Sequence, residues 1–151
     1  MGIETQDNLA RIVIGTLERI AEDLVSASRA TLASSTSDGD PMVLLDPGHP
    51  DAAPLHVSID SPHQITCLPG RSGMTYEVFS KSATEIEEAV TGLAEAIVRG
   101  GYTERVDDSG ESTKIIARWT EDGRLVSPRN NVLRAPRNDT GGWRTVRYEP
   151  Y

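Results

Sequence analysis

Aromatic residues are scarce in this chain: 5% of its 151 residues, with one phenylalanine, Phe79, two tryptophans and four tyrosines. A core built from it has to be aliphatic. Cysteine is scarcer still. Cys67, the single cysteine, excludes an internal disulfide and points to a reducing compartment, so the expected location is cytoplasmic. Within Ile65-Thr66-Cys67-Leu68 it reads as a small buried hydrophobe. No apolar run approaches the ~20 residues of a membrane-spanning helix. Met1 to Asp7 offers neither a basic nor an apolar signal region, so no secretory signal is expected. Positive charge is in deficit as well. The net charge of −8 weighs against nucleic acid and anionic membrane as partners, because both demand concentrated cations.

What is present suits one folded domain, residues 1–151. Hydrophobic residues make up 37%, and the 13 glycines bring the apolar share near that of ordinary globular chains, which argues against wholesale disorder. Charge is uneven. Residues 1–110 hold 18 acids against 7 bases, whereas residues 111–151 hold 5 acids against 8 bases, seven of them arginine. The plain reading is an ordinary polar surface. The sharper one is a dipolar molecule with an acidic body and an arginine-bearing tail face.

Periodicity places the elements. Leu9, Ile12, Val13, Leu17, Ile20 and Leu24 recur at three- and four-residue steps, predicting an amphipathic helix over residues 7–27 with Thr5, Asp7 or Asn8 as cap. Gly15 inside that pattern suggests close packing. Residues 30–34 and 42–45 read as strands, with a hairpin across Asp38-Gly39. Strands are expected at 55–59, 64–68 and 74–80. Ser82-Ala83-Thr84-Glu85 has capping-box spacing, in which hydroxyl and carboxylate satisfy orphan N–H groups reciprocally. Ile86, Val90, Leu93, Ala94 and Ile97 then form a buried stripe, and Gly100-Gly101 supplies the left-handed end. Further strands fall at 102–106, 113–120 and 143–148, and residues 127–142 read as a long loop. Consecutive strands without intervening helices argue for antiparallel pairing. The expected fold is α+β: a two-layer sandwich, mostly antiparallel sheet, with two amphipathic helices packed on one face and the other face free.

Chemistry-bearing residues are sparse. His49, His56 and His63, with Asp46, Asp51 and Asp60 nearby, have transition-metal ligand chemistry, but their spacing matches no zinc pattern. Cys67 and His63, four apart on a strand, stand roughly 13 Å apart at ~3.3 Å per residue, too far for a nucleophile and its base. Leu68-Pro69-Gly70-Arg71-Ser72-Gly73-Met74 lacks the Lys-Ser/Thr and the helix of a phosphate loop. Glu85, Glu87 and Glu88 are explained by the helix dipole. No metal or cofactor is expected, and no catalytic residue. The richest set is C-terminal. Trp119, Arg129, Arg134, Trp143, Arg144 and Tyr148, with Arg137, Arg147 and Tyr151, are of the types enriched at protein interfaces, and arginine makes bidentate bonds to carboxylates. For the tryptophans, closing the core of the last strands is the plainer role.

Tyr76-Glu77-Val78-Phe79-Ser80 leads into the capped helix, and Gly101-Tyr102-Thr103-Glu104-Arg105 and further strands follow. Residues 74–119 thereby resemble small α+β immunity proteins of actinobacterial polymorphic-toxin systems. The element order is also similar to secretion-chaperone-like folds. Both resemblances imply a non-enzymatic module that holds a protein partner, a basic one if opposite fields steer the encounter. Two other readings stay open. A deep pocket between helices and sheet, containing His56, Tyr76 or Cys67, would instead suit a small-molecule binder or small enzyme. A homodimer could use the free sheet face with no other ligand.

Overall fold

A computed structural model describes residues 5–132 and 142–151. The first helix, α1, spans Gln6–Ser26, capped by Thr5, whose hydroxyl accepts the Asn8 N–H at 3.1 Å. A meander follows: β1 (Ala30–Ser37), β2 (Asp40–Pro47), β3 (Leu55–Ser61), β4 (Gln64–Pro69) and β5 (Tyr76–Phe79). The second helix, α2, is Ala83–Arg99. After it come β6 (Thr103–Asp107), β7 (Lys114–Glu121), β8 (Arg124–Val126), β9 (Arg129–Asn130) and β10 (Arg144–Arg147). Every strand pairing is antiparallel. The α+β antiparallel layout expected from the sequence is therefore what the chain adopts.

The strands divide between two sheets, which the sequence pattern did not separate. The first is ordered β1-β2-β3-β4-β5, and the second β10-β6-β7-β8 with β9 also on β7. Two of the three hairpins with a two-residue turn among the described residues are built on left-handed residues matched to the strand twist: Asp38 at φ 51° with Gly39 at 86°, and Asp122 at φ 48° with Gly123 at 77°, whereas the Pro62-His63 turn between Ser61 and Gln64 has no positive φ. Strand alternation then sorts the side chains. In register across the first sheet, Val43, Val57, Cys67 and Tyr76 share one face, and His56 and Leu68 share the other. The first of these faces meets the helices. Val13 and Leu17 of α1, and Val90, Leu93 and Ile97 of α2, are fully buried in one cluster with Leu45, Leu55, Val57 and Ile65. That cluster continues into the second sheet through Tyr102, Ile115, Ala117 and Trp119. The two helices pack on each other, α1 over β1 to β3 and α2 over β4, β5 and β7.

The α2 cap differs in detail from the expected reciprocal box. Ser82 accepts the Glu85 N–H at 3.4 Å, but the Glu85 carboxylate takes the Ser80 hydroxyl at 2.5 Å, and the Ser80 oxygen in turn accepts the Ser82 N–H at 3.0 Å. A relay through Ser80 thus replaces the direct bond. Gly100 ends the helix at φ 78°. Gly15 is not a close-packing position, because a Cβ there would meet nothing within 4 Å. Part of the expected 127–142 loop is strand β9, and residues 133–141, with Arg134 and Arg137, lie outside the described residues.

One buried polar cluster ties the second sheet to the β4–β5 connection. Glu104, fully buried, receives hydroxyls from Tyr102 at 2.9 Å, Tyr148 at 2.5 Å and Ser72 at 3.0 Å. The Tyr148 oxygen also accepts the Arg71 N–H at 2.8 Å, and the Arg71 guanidinium holds the carbonyls of Pro50 and Ala52. Gly70 allows this approach, since a Cβ there would lie 2.8 Å from the Tyr148 oxygen. Tyr148→Phe removes one bond to a buried carboxylate and orphans a backbone N–H. Its expected cost is about 2–3 kcal/mol, read from urea unfolding. A loss below a few tenths would show that the cluster is solvated.

Alkali should also unfold the chain by linkage. Burial pushes the Cys67 thiol up to about 12, with Asp60 adding to it. Burial, then the bond to Glu104, pushes the Tyr148 phenol up to about 12. The unfolded chain releases these protons near the ordinary values of about 8.5 and 10, while the folded chain retains them. Stability is therefore full below about pH 8.5 and falls as pH rises toward 12. The urea midpoint is expected to be lower at pH 10.5 than at pH 8. Equal midpoints would contradict the assigned burial.

Candidate functional site: an acidic cleft beneath the second helix

The two sheets meet at one corner and part beyond it. At the corner, Asn130 of β9 accepts the Thr75 N–H through its Oδ1 at 2.9 Å and donates its Nδ2 to the Thr75 carbonyl at 3.2 Å. Past that corner the space between α2, β5 and the β7–β8 hairpin opens into a cleft of about 1220 Å³. Its wall along α2 carries Glu85, Glu87, Glu88 and Glu95, and the hairpin adds Glu121 and Asp122. The bases facing the same space are Arg99 and Arg124. Six carboxylates against two guanidiniums make it strongly negative. Two of the six are paired on the surface, Glu87 with Arg19 at 3.1 Å and Glu95 with Arg99 at 3.5 Å, geometries that contribute little at high exposure.

The floor is aromatic and close-packed. Trp119, 1% exposed, meets Tyr76 edge-on with ring centroids 5.3 Å apart. Its indole N–H donates to Glu121 at 2.8 Å. The Tyr76 phenol is pushed up by burial first, then by the negative charge of Glu121 and by Cys67, with Arg124 opposing. Gly92 is the position that lets Glu121 reach in. A Cβ there would stand 2.4 Å from the Glu121 Cδ. The sequence offered a hint in a glycine at the centre of a strong helix, but nothing local says what approaches it.

The residues singled out from sequence do not form one surface. Trp119 and Tyr148 are interior. Trp143 is half-buried, with the Arg105 guanidinium 6.0 Å from its ring centre, a cation–π distance. Arg144 is exposed and pairs with Asp108 at 3.0 Å. Arg129 is exposed on β9, and Arg134 lies outside the described residues. Register nevertheless collects arginines on the second sheet's outer face. Arg129 stands opposite Ile116, which stands opposite Arg105, while Arg118 and Arg147 both stand opposite Thr103. The inner side of the same sheet borders the acidic cleft, and both sides draw on both stretches of the chain: Glu121 and Asp122 line the cleft, and Arg105 lies on the outer face.

The histidines are dispersed: His56 on the outer face of β3, His63 in the β3–β4 turn, and His49 against the Pro150 carbonyl at 3.1 Å. Among the described residues no three His, Cys, Asp or Glu side chains are placed to hold a metal ion. Cys67 is sealed in the core on the face opposite to His56, and Tyr76 opens onto the cleft. Of those three residues, only Tyr76 lines that cleft among the described residues. Among the described residues no helix is long and apolar enough to cross a membrane. Compared with protein-family models, curated proteins and solved structures, the chain has no match in any of the three.

The Gly92–Glu121 contact can be tested by a sign reversal. Gly92→Ala gains about 1 kcal/mol of helix propensity but evicts Glu121 from the Trp119 N–H, a loss of about 1–3 kcal/mol. Its net effect is expected to be destabilising in the native background and stabilising in an Glu121→Ala background. A double-mutant cycle measures this, and the same effect in both backgrounds would refute the contact.

Proposed function

We propose that this chain is a non-enzymatic protein-binding module that receives a basic segment of a partner protein in the cleft beneath α2. The observation that carries the reading is the charge of that cleft: Glu85, Glu87, Glu88, Glu95, Glu121 and Asp122 against Arg99 and Arg124, on a wall with open access. A concave surface of one sign concentrates field and speeds capture of an oppositely charged partner. The chain's net charge of −8 acts in the same direction at long range. A role like that of an immunity protein or a chaperone, binding a basic partner in order to hold or silence it, agrees with both the charge and the resemblance in layout. The arginine-lined outer face of the second sheet would remain outside the complex and would orient it.

The test is a charge change at two positions, Glu88→Lys with Asp122→Asn, asparagine being tolerated at the left-handed φ of 48° that this turn position adopts. Neither position belongs to the buried cluster, so the thermal midpoint should stay close to that of the native chain. A stoichiometric protein partner captured at low salt is expected to bind the variant at least tenfold more weakly, equivalent to about 1.4 kcal/mol, and to be released from the native chain by salt. Equal affinity for both chains, or no stoichiometric partner at low salt, would refute the reading.

A further inference from the structure

The manner of binding can be read from the sheet edges that border the cleft. β5 ends the first sheet and β8 ends the second. In an antiparallel ladder, residues alternate between bonding the neighbour and facing away from it. The Ser80 N–H bonds the His63 carbonyl at 2.9 Å, so Val78 and Tyr76 also turn toward β4, whereas Thr75, Glu77 and Phe79 turn their N–H and C=O groups outward. Thr75, the first outward residue, is already paired. The Asn130 amide accepts from its N–H and donates to its carbonyl, as a neighbouring strand's backbone would. Glu77 and Phe79 continue that edge with no strand beside them among the described residues. On β8 the two-residue turn fixes Glu121 and Arg124 as the closing pair, which turns the backbone of Leu125 outward as well.

We propose that the cleft is filled by strand addition: an extended partner segment, basic and apolar by turns, pairs with the open edge of β5. This rests on the protein-partner reading above and specifies its geometry. Native sheets blunt a bare edge by shortness, charge, proline or a bulge; β5 is four residues long and its outward Glu77 is a carboxylate, which disfavours an acidic strand and leaves the edge open to a basic one. The side-chain pattern follows from the two faces. Tyr76 faces the core side, under α2, and an added strand's side chains on that side meet Glu88 and Glu121, which calls for lysine or arginine. Those on the other side lie beside Glu77 and the exposed Phe79 (69%) of β5, and β8 has its own exposed apolar residue in Leu125 (56%). Phe79 and Leu125 are the large exposed apolar side chains on the strands among the described residues, the third, Val25, being on α1. Backbone pairing would supply affinity and the alternating side chains selectivity.

The probe is an eight-residue peptide of alternating lysine and valine, compared with the same peptide N-methylated at every residue, which keeps the charge but cannot donate backbone hydrogen bonds. Amide exchange of the isotope-labelled chain is followed by NMR at low ionic strength. The unmodified peptide is expected to slow exchange at Glu77 and Phe79 at least tenfold, and the methylated peptide to leave both unchanged. If both peptides perturb Glu88 and Glu121 alike while Glu77 and Phe79 keep their rates, the cleft binds charge and strand addition is overturned. If neither peptide perturbs Glu88 or Glu121, strand addition and the basic-partner reading fall together.

Discussion

One helix packed on two sheets sets the form of this molecule. The inner face of α2 has to cover β4 and β5 from one sheet and β7 from the other, and its buried stripe from Ile86 to Ile97 is shared between them. The two sheets under that helix are tied where Ser72 bonds Glu104, and their edges are joined at one corner by the Asn130 side-chain amide at Thr75. Away from that corner the edges separate, and the gap cannot be closed by core packing because Trp119, Tyr76 and Glu121 already fill its floor. The cleft is thus a consequence of how the core is completed.

The same constraint places the charges. Glutamates at the start of α2 favour the positive end of its dipole, and those further along lie on the side turned from the core. Facing the β7–β8 hairpin with its own Glu121 and Asp122, they leave a concave negative surface. Arg118, Arg129 and Arg147 fall on the opposite face by alternation, whereas Arg124 faces the cleft: Arg118 sits between Ala117 and Trp119, both buried, and so points outward. Field and shape then agree on which side a basic partner approaches. The buried Glu104 takes no part in that field at the surface, being enclosed by three hydroxyl donors, and its contribution is to fix the β4–β5 connection against the second sheet.

Much of this was legible from the chain itself. The 3.6-residue stripes, the Ser82 cap, the Gly100 terminus and the Asp38-Gly39 turn are local signals, and local physics decides them. The division into two sheets is not local. Both halves show the same alternation of apolar and polar residues, and which edges remain unpaired depends on contacts between residues 75 and 130. For the same reason Gly15 and Gly92 look alike in sequence, although one faces open space and the other a carboxylate. The Trp and Arg set divides, with Trp119 in the core as its plainer reading had it, because neighbouring residues on a strand face opposite ways: Arg118 and Trp119 are adjacent in the chain and belong to different sides of the protein. Of the cleft acids, the sequence explains Glu85, Glu87 and Glu88 by the helix dipole, and Glu85 lies in the first turn; their convergence with Glu121 and Asp122 required the fold.

The central claim is that among the described residues no strand pairs with the outward edge of β5 beyond Thr75, and hydrogen exchange in the unliganded chain tests most directly whether that edge is open. Amides of Tyr76 and Val78, bonded to β4, are expected to exchange slowly, at rates set by opening of the core. Those of Glu77 and Phe79 should exchange near the rate of an unprotected chain. Slow exchange at Glu77 and Phe79, matching their neighbours, would mean that the edge is already occupied and would contradict the account.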